Sequence, residues 1–125
     1  LIDFLADDGD ILYRIYYQDT ATTVNASKAL DKTLSDRPVD IAVVMLANFA
    51  HSKDSRFPSQ VVNKLNAKAY IIGHWEDFFD NEFEQPKVAR GTDENIFIRN
   101  LEAAISADVK WIMPSPGRKI RVVRY

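Results

Sequence analysis

The chain has 125 residues, 46% of them hydrophobic and 27% charged, with a formal net charge of -2; this is the balance of an ordinary globular domain able to bury a core. Its mild acidity argues against a phosphate-tracking surface, so nucleic acid is not among the expected partners, and the lack of cysteine removes disulfides, thiolate metal sites and a cysteine nucleophile. No stretch reaches the roughly 20 apolar residues of a membrane helix, so one soluble domain without a membrane partner is expected, its compartment open.

The first element is a hairpin. Two β-prone runs, 2–5 and 11–18, flank the acidic loop Ala6-Asp7-Asp8-Gly9-Asp10, whose Asp-Gly step is a turn signal. In the second run Ile11, Tyr13, Ile15 and Tyr17 share one face by alternation, and Leu12, Arg14, Tyr16 and Gln18 the other. Asp19 ends the strand. Thr20 to Thr23 form a polar turn suited to cap a helix over 24–34, with Ala26, Ala29, Leu30 and Leu34 inward.

Arg37-Pro38 breaks that helix. The apolar run 40–46 has no alternation, as expected of a central strand covered on both faces. A polar loop over 48–57 leads to Pro58, placed for the first turn of a short helix carrying Val61, Val62 and Leu65. A buried strand over 69–72 ends directly in Gly73-His74, and Trp75 to Phe79 form a short helical or turn segment before a loop over 81–91. Thr92 caps the best-defined helix, 93–106, with Phe97, Leu101, Ala104 and Ile105 on its apolar side. The turn Pro114-Ser-Pro-Gly117 separates two last strands, 111–113 and 119–124.

Strands alternating with helices predict an α/β domain with a mixed, partly parallel sheet. Ligands of such sheets bind at the carboxyl ends of strands, where Asp19 and His74 fall. A carboxylate and a neutral imidazole are good ligands for zinc, iron or manganese, but two donors are fewer than a zinc site needs. His51 is a weak third candidate, a solvated loop residue kept outside the site.

The run Tyr13-Arg-Ile-Tyr-Tyr-Gln-Asp19-Thr20, a helix, the strand around Val43, and then Ile71-Ile-Gly-His74-Trp-Glu-Asp-Phe78 resemble the second half of a metallo-β-lactamase-fold hydrolase. The resemblance covers most of the chain, though its diagnostic part is short. It implies that Asp19 bridges two metal ions and that His74 completes the shell of the second. It also implies a divalent metal, zinc first, that activates water against an ester, lactone, amide or phosphoester of a small-molecule substrate. The family's His-x-His-x-Asp-His signature is absent from this sequence. Because the family fold is a four-layer αββα sandwich, the 125 residues would be its C-terminal half, with helices on one face of the sheet. The missing N-terminal half is then a partner, in keeping with a chain that begins at Leu1 rather than Met. The isolated half is expected to be inactive, to bind metal weakly or not at all, and to self-associate through a sheet face left uncovered around Ile11, Tyr13 and Ile15 or their opposite neighbours. No catalytic role is assigned to Trp75, Glu76 and Asp77, which would line the mouth or orient His74.

The alternative is a non-catalytic α/β binding or interaction module. An aspartate between strand and helix commonly serves as a turn or cap residue, and a histidine after a buried strand is commonly structural. Tyr13, Tyr17, Phe78, Phe79 and Trp111 are read as core or interface residues. The basic tail Arg118, Lys119, Arg121 and Arg124 is read as edge-strand protection against aggregation.

Overall fold

The computed structural model describes residues 1–19, 30–47, 56–80, 82 and 84–121. They form β1 (Ile2–Leu5), β2 (Ile11–Tyr17), α1 (Leu30–Leu34), β3 (Ile41–Met45), α2 (Ser59–Leu65), β4 (Ala69–Gly73), α3 (Glu94–Ala104) and β5 (Lys110–Ile112). The five strands make one mixed sheet in the order β1-β2-β3-β4-β5. β1 runs antiparallel to β2, and every other neighbouring pair is parallel.

The hairpin closes as its residues predict. Gly9 adopts φ of 90°, which only glycine reaches without strain, while Ala6 N–H donates to Asp10 O at 2.8 Å and Asp10 N–H to the Asp8 side chain at 3.1 Å. Of the helix expected over 24–34, the turn Leu30–Leu34 is observed, and residues 20–29 lie outside the described ones. The long C-terminal helix begins one residue later than expected, because the cap is Asp93: its carboxylate accepts from Ile96 N–H at 3.0 Å. β5 stands where the first of the two last strands was expected. Its partner was expected over 119–124, but Lys119, Ile120 and Arg121 are not strand, and the remaining residues of that stretch, Arg124 included, lie outside the described ones.

Crossovers between parallel neighbours are right-handed, so a sheet whose strands follow one another in sequence receives all its helices on one side. The core reflects this. Tyr16, Ala42, Val44, Tyr70 and Ile72 face Val61, Val62 and Leu65 of α2 and Phe97 and Leu101 of α3 in one buried cluster, against which Leu30 and Leu34 of α1 also pack. Tyr70 ties sheet to helix, its hydroxyl donating to Val62 O and accepting from Ala67 N–H, both at 3.0 Å. Asn100 Nδ2 donates to Phe57 O and Ser59 Oγ to Asn100 O, both at 2.9 Å, joining α3 to the start of α2.

The opposite face is apolar as well. Register places Ile2 beside Ile15, Phe4 beside Tyr13, Ile15 beside Ile41, Val43 beside Ile71, and Ile71 beside Ile112. The described helices all pack on the other side. Ile2 and Phe4 are each 52% exposed and Ile112 43%, while Ile11, Tyr13, Ile15, Val43 and Ile71 are half-buried.

One consequence of the alternation in β2 is that Arg14 points to the helix side, where it is 4% exposed. Its guanidinium donates to both carboxylate oxygens of Asp3 at 2.8 Å and to Asp36 at 2.6 and 3.2 Å, spanning β1, β2 and the approach to β3. Next to it the buried Asp40 accepts from Arg14 N–H at 2.8 Å, Arg37 at 2.8 Å and Lys68 Nζ at 2.6 Å. Burial pushes the Asp40 carboxyl up, but Lys68, the Arg14 amide and Arg37 outweigh it and hold the group below its ordinary value of 3.8. Asp3 and Asp36 are held low chiefly by their hydrogen bonds to Arg14.

Two outcomes follow. Phe97, with no exposed surface, loses its packing in Phe97→Ala at a cost of about 3–5 kcal/mol in denaturant unfolding, whereas Phe79→Ala, at 99% exposure, stays within about 0.5 kcal/mol. A carboxyl lowered by folding stabilises fully above its unfolded value and loses that contribution as the pH falls through its folded value. The stability gap between wild type and Asp40→Asn is therefore widest near neutrality and shrinks in unfolding curves taken below pH 3.8.

Candidate functional site

The carboxyl ends of β2, β3 and β4 come together at one edge of the sheet. Pairing continues past the strands: Gln18 N–H donates to Val43 O at 3.0 Å, Leu46 N–H to Gly73 O at 3.1 Å and Ala47 N–H to His74 O at 2.8 Å. These bonds fix the backbone on both sides of the gap that β3 leaves between Asp19 and His74. Gly73 fits because a Cβ there would meet Val43 Cγ1 at 3.1 Å. His74 itself turns away from the strand with φ of 45°, unusual for a residue with a side chain.

Asp19 and His74, 55 positions apart in sequence, are neighbours in space. His74 Nδ1 lies 3.2 Å from the backbone oxygen of Asp19 and 3.8 Å from its Oδ1. A proton on Nδ1, shared with that carbonyl, leaves the ring's lone pair on Nε2, the tautomer a metal ligand requires. The Asp19 side chain is 71% exposed and that of His74 26%, so the carboxylate keeps its hydration while the ring is partly shielded. Among the described residues, no three histidine, cysteine, aspartate or glutamate side chains gather as a metal-holding group. His51 lies outside the described residues.

Two aromatic side chains bracket the pair. Tyr17 Oη donates to Asp19 Oδ1 at 3.3 Å, a contact that the two-residue spacing along one strand face makes natural. The charge of Asp19, then its hydrogen bond, pushes the Tyr17 phenol up from 10.0. Phe78 stacks on His74 with ring centroids 4.8 Å apart and planes 21° apart. Phe78 and Phe79 are not core or interface residues within the chain, since they are 65% and 99% exposed; the apolar run that holds them is a turn whose geometry faces them outward.

That turn is firmly held. Asp77, only 7% exposed, accepts from Phe79 N–H at 3.1 Å and pairs with Arg90 at 3.1 Å, while Asp80 pairs with Lys87 at 3.3 Å and Arg90 at 3.1 Å. Asp77 N–H donates to Lys87 O and Ala89 N–H to Trp75 O, each at 2.8 Å, so the segment 75–77, expected as a short helical or turn piece, pairs with 87–89, expected as loop, through a bridge between Glu76 and Val88. Trp75 is buried, its indole N–H donating to Pro114 O at 2.9 Å. Trp75 and Asp77 therefore brace the ribbon, while Phe78 makes the ring contact with His74.

Comparison of the chain with protein-family models, with curated proteins and with solved structures finds no match. The arrangement itself presents a carboxylate and an imidazole at the rim of a sheet, at the strand ends where α/β proteins hold ligands. Since Asp19 sets the Tyr17 phenol, Asp19→Asn lowers the Tyr17 pKa toward 10.0 in a spectrophotometric pH titration. An unshifted phenol in that variant would mean the Tyr17–Asp19 contact is absent in solution.

Proposed function

We propose that this chain is the C-terminal half of a metal-dependent hydrolase domain of the metallo-β-lactamase type, in which Asp19 and His74 are two ligands of a larger site. The observation that carries the reading is the approach of His74 Nδ1 to within 3.8 Å of Asp19 Oδ1 at the carboxyl edge of the sheet. The topology supports it, since a sheet whose described helices lie on one side and whose second face is apolar has the form of half a sandwich.

The donor chemistry fits a divalent ion in part. A carboxylate and an Nε2 lone pair suit zinc, manganese or iron, and the remaining donors belong to an N-terminal half carrying the His-x-His-x-Asp-His signature. Bound metal supplies a water of lowered pKa and polarises the scissile carbonyl or phosphoryl oxygen. The chain's own residues hold the ligands: Asp19 O accepts from His74 Nδ1 and fixes the ring, Tyr17 Oη orients the Asp19 carboxylate, and the Phe78 ring covers one face of the imidazole. The small-molecule substrate presents an ester, lactone, amide or phosphoester to that site.

The second reading, a non-catalytic α/β interaction module, is favoured by one observation: the Asp19–His74 hydrogen bond already ties two strand ends together. Metal analysis separates the two. In the protein with an N-terminal half attached, stoichiometric zinc, manganese or iron is expected, with affinity reduced at least about a hundredfold in Asp19→Ala and His74→Ala and hydrolysis lost with it. Full metal loading in both variants refutes the hydrolase reading, and the 125 residues alone are expected to bind these ions weakly.

A further inference from the structure

The outer side of β1 is an open sheet edge. No described strand pairs with it, and Ile2, Asp3, Phe4 and Leu5 are all exposed. Hydrogen bonds on the far side of β2 show which backbone groups this edge offers. Arg14 N–H donates to the Asp40 carboxylate and Arg14 O accepts from Asp40 N–H, so both point toward β3. Asp3, the antiparallel partner of Arg14, therefore turns its own N–H and C=O away from β2. Ile11 O likewise points away from β1, to Arg37, and Ala6 N–H closes the ring beyond it on Asp10 O. Its partner Leu5 thus turns N–H and C=O outward as well. Exposed edges are commonly blunted by a lysine, a proline or an inward-pointing charge. Here the one charged side chain of the strand, Asp3, is turned to the helix side and held by Arg14, while Ile2 and Phe4 lie on the apolar face beside Ile15 and Tyr13.

We infer that the edge of β1 binds the same edge of a second copy, antiparallel about a two-fold axis at Phe4, so that two five-stranded sheets join into one. An isologous contact requires only that the patch complement itself, and this one does. Asp3 and Leu5 stand one residue to either side of Phe4, so the axis sets Asp3 opposite Leu5 of the second copy, and each such pair exchanges both N–H···O bonds. Phe4 then meets Phe4 of the second copy in the close, non-hydrogen-bonded position, with Cα atoms about 4.5 Å apart. Charge selects the arrangement. An axis at Asp3 would set two carboxylates face to face, and like charges directly opposite destabilise a strand pair. Parallel pairing would bring the two acidic loops, each with Asp7, Asp8 and Asp10, side by side, whereas the two-fold sends them to opposite ends of the seam. The contact needs no metal and is independent of the hydrolase reading.

Two measurements on the 125-residue chain test it. A seam this short makes a weak dimer, so association is read between about 10 µM and about 1 mM protein. Over that range the Asp3 and Leu5 amides are expected to exchange with solvent at least about tenfold more slowly as concentration rises, because only a second copy can accept from them. In Phe4→Glu, a change at an exposed side chain, the concentration dependence disappears and sedimentation equilibrium shows a monomer. Exchange at Asp3 and Leu5 that ignores concentration overturns the inference, as does a dimer that persists in Phe4→Glu. The second measurement uses the lack of cysteine in the chain. With oxidised glutathione, Phe4→Cys is expected to give a disulfide-linked dimer at least about tenfold faster than Leu12→Cys, which is exposed on β2 but off the seam. Equal rates for the two variants overturn the inference even if Phe4→Glu fails to fold.

Discussion

The handedness of the parallel crossovers governs most of what this chain can be. Strands β2 to β5 follow one another across the sheet in sequence order, and right-handed connections between such neighbours must all pass over the same side. The side chains of α1, α2 and α3 therefore meet in one cluster with Tyr16, Val44, Tyr70 and Ile72. Among the described residues no helix packs on the second face, although its residues are the Ile, Val and Phe of a core rather than the polar residues of a solvated surface, and Ile41 and Met45 at its centre are buried. The described part is a two-layer unit whose second face is apolar and half-exposed towards its edges, and the parallel strands β2 to β4 all terminate along one line, where Asp19 and His74 lie.

The two ends of the sheet are built for different tasks. At the amino ends of β2 and β3, Arg14, Asp3, Asp36, Asp40, Arg37 and Lys68 form a charged network in which the buried groups are paired. Removing one partner would strand a charge in poor solvent, so such a network fixes the register of β1, β2 and β3 more than it adds net stability. At the carboxyl ends the polar groups are few and partly hydrated, and their order comes from the backbone bonds of Gln18, Leu46 and Ala47. Order at one end thus comes from paired charges, and at the other from backbone bonds that leave the polar side chains partly hydrated.

The sequence revealed the elements better than it revealed which face of each was covered. Asp8-Gly9, Pro58 and the apolar run before Leu46 mark their elements because each reflects a local conformational demand. The alternation in β2 separated its two faces without saying which is covered, and the apolar set Ile11, Tyr13 and Ile15, one of the two expected to be left uncovered, is the half-exposed one. The buried set contains Arg14, whose partners Asp3 and Asp40 are supplied by other segments. Phe78 and Phe79, expected in the core or an interface, are exposed: hydrophobicity measures a side chain's preference, while exposure depends on whether the fold brings anything to meet it. Thr92 and Asp93 are equally good caps by composition, and the choice between them rests on which oxygen reaches Ile96 N–H. The pairing of Asp19 with His74 was legible, because strand ends in a parallel sheet share an edge whatever the loops do.

On the proposed reading, the shortage of donors and the surplus of apolar surface are one fact. An ion held by Asp19 and His74 alone would keep most of its coordination sphere as water, and two ligands cannot repay its dehydration. Further donors help only at high effective concentration, which requires that the polypeptide bearing them be fixed in place. Burying Ile2, Phe4, Ile112 and their half-buried neighbours supplies the fixing energy at about 25 cal/mol per Å², and the edge of that interface is the line of strand ends that carries Asp19 and His74. Metal affinity would thus be assembled by hydrophobic contact: the sheet face binds, and the ligands at its rim are completed as a consequence.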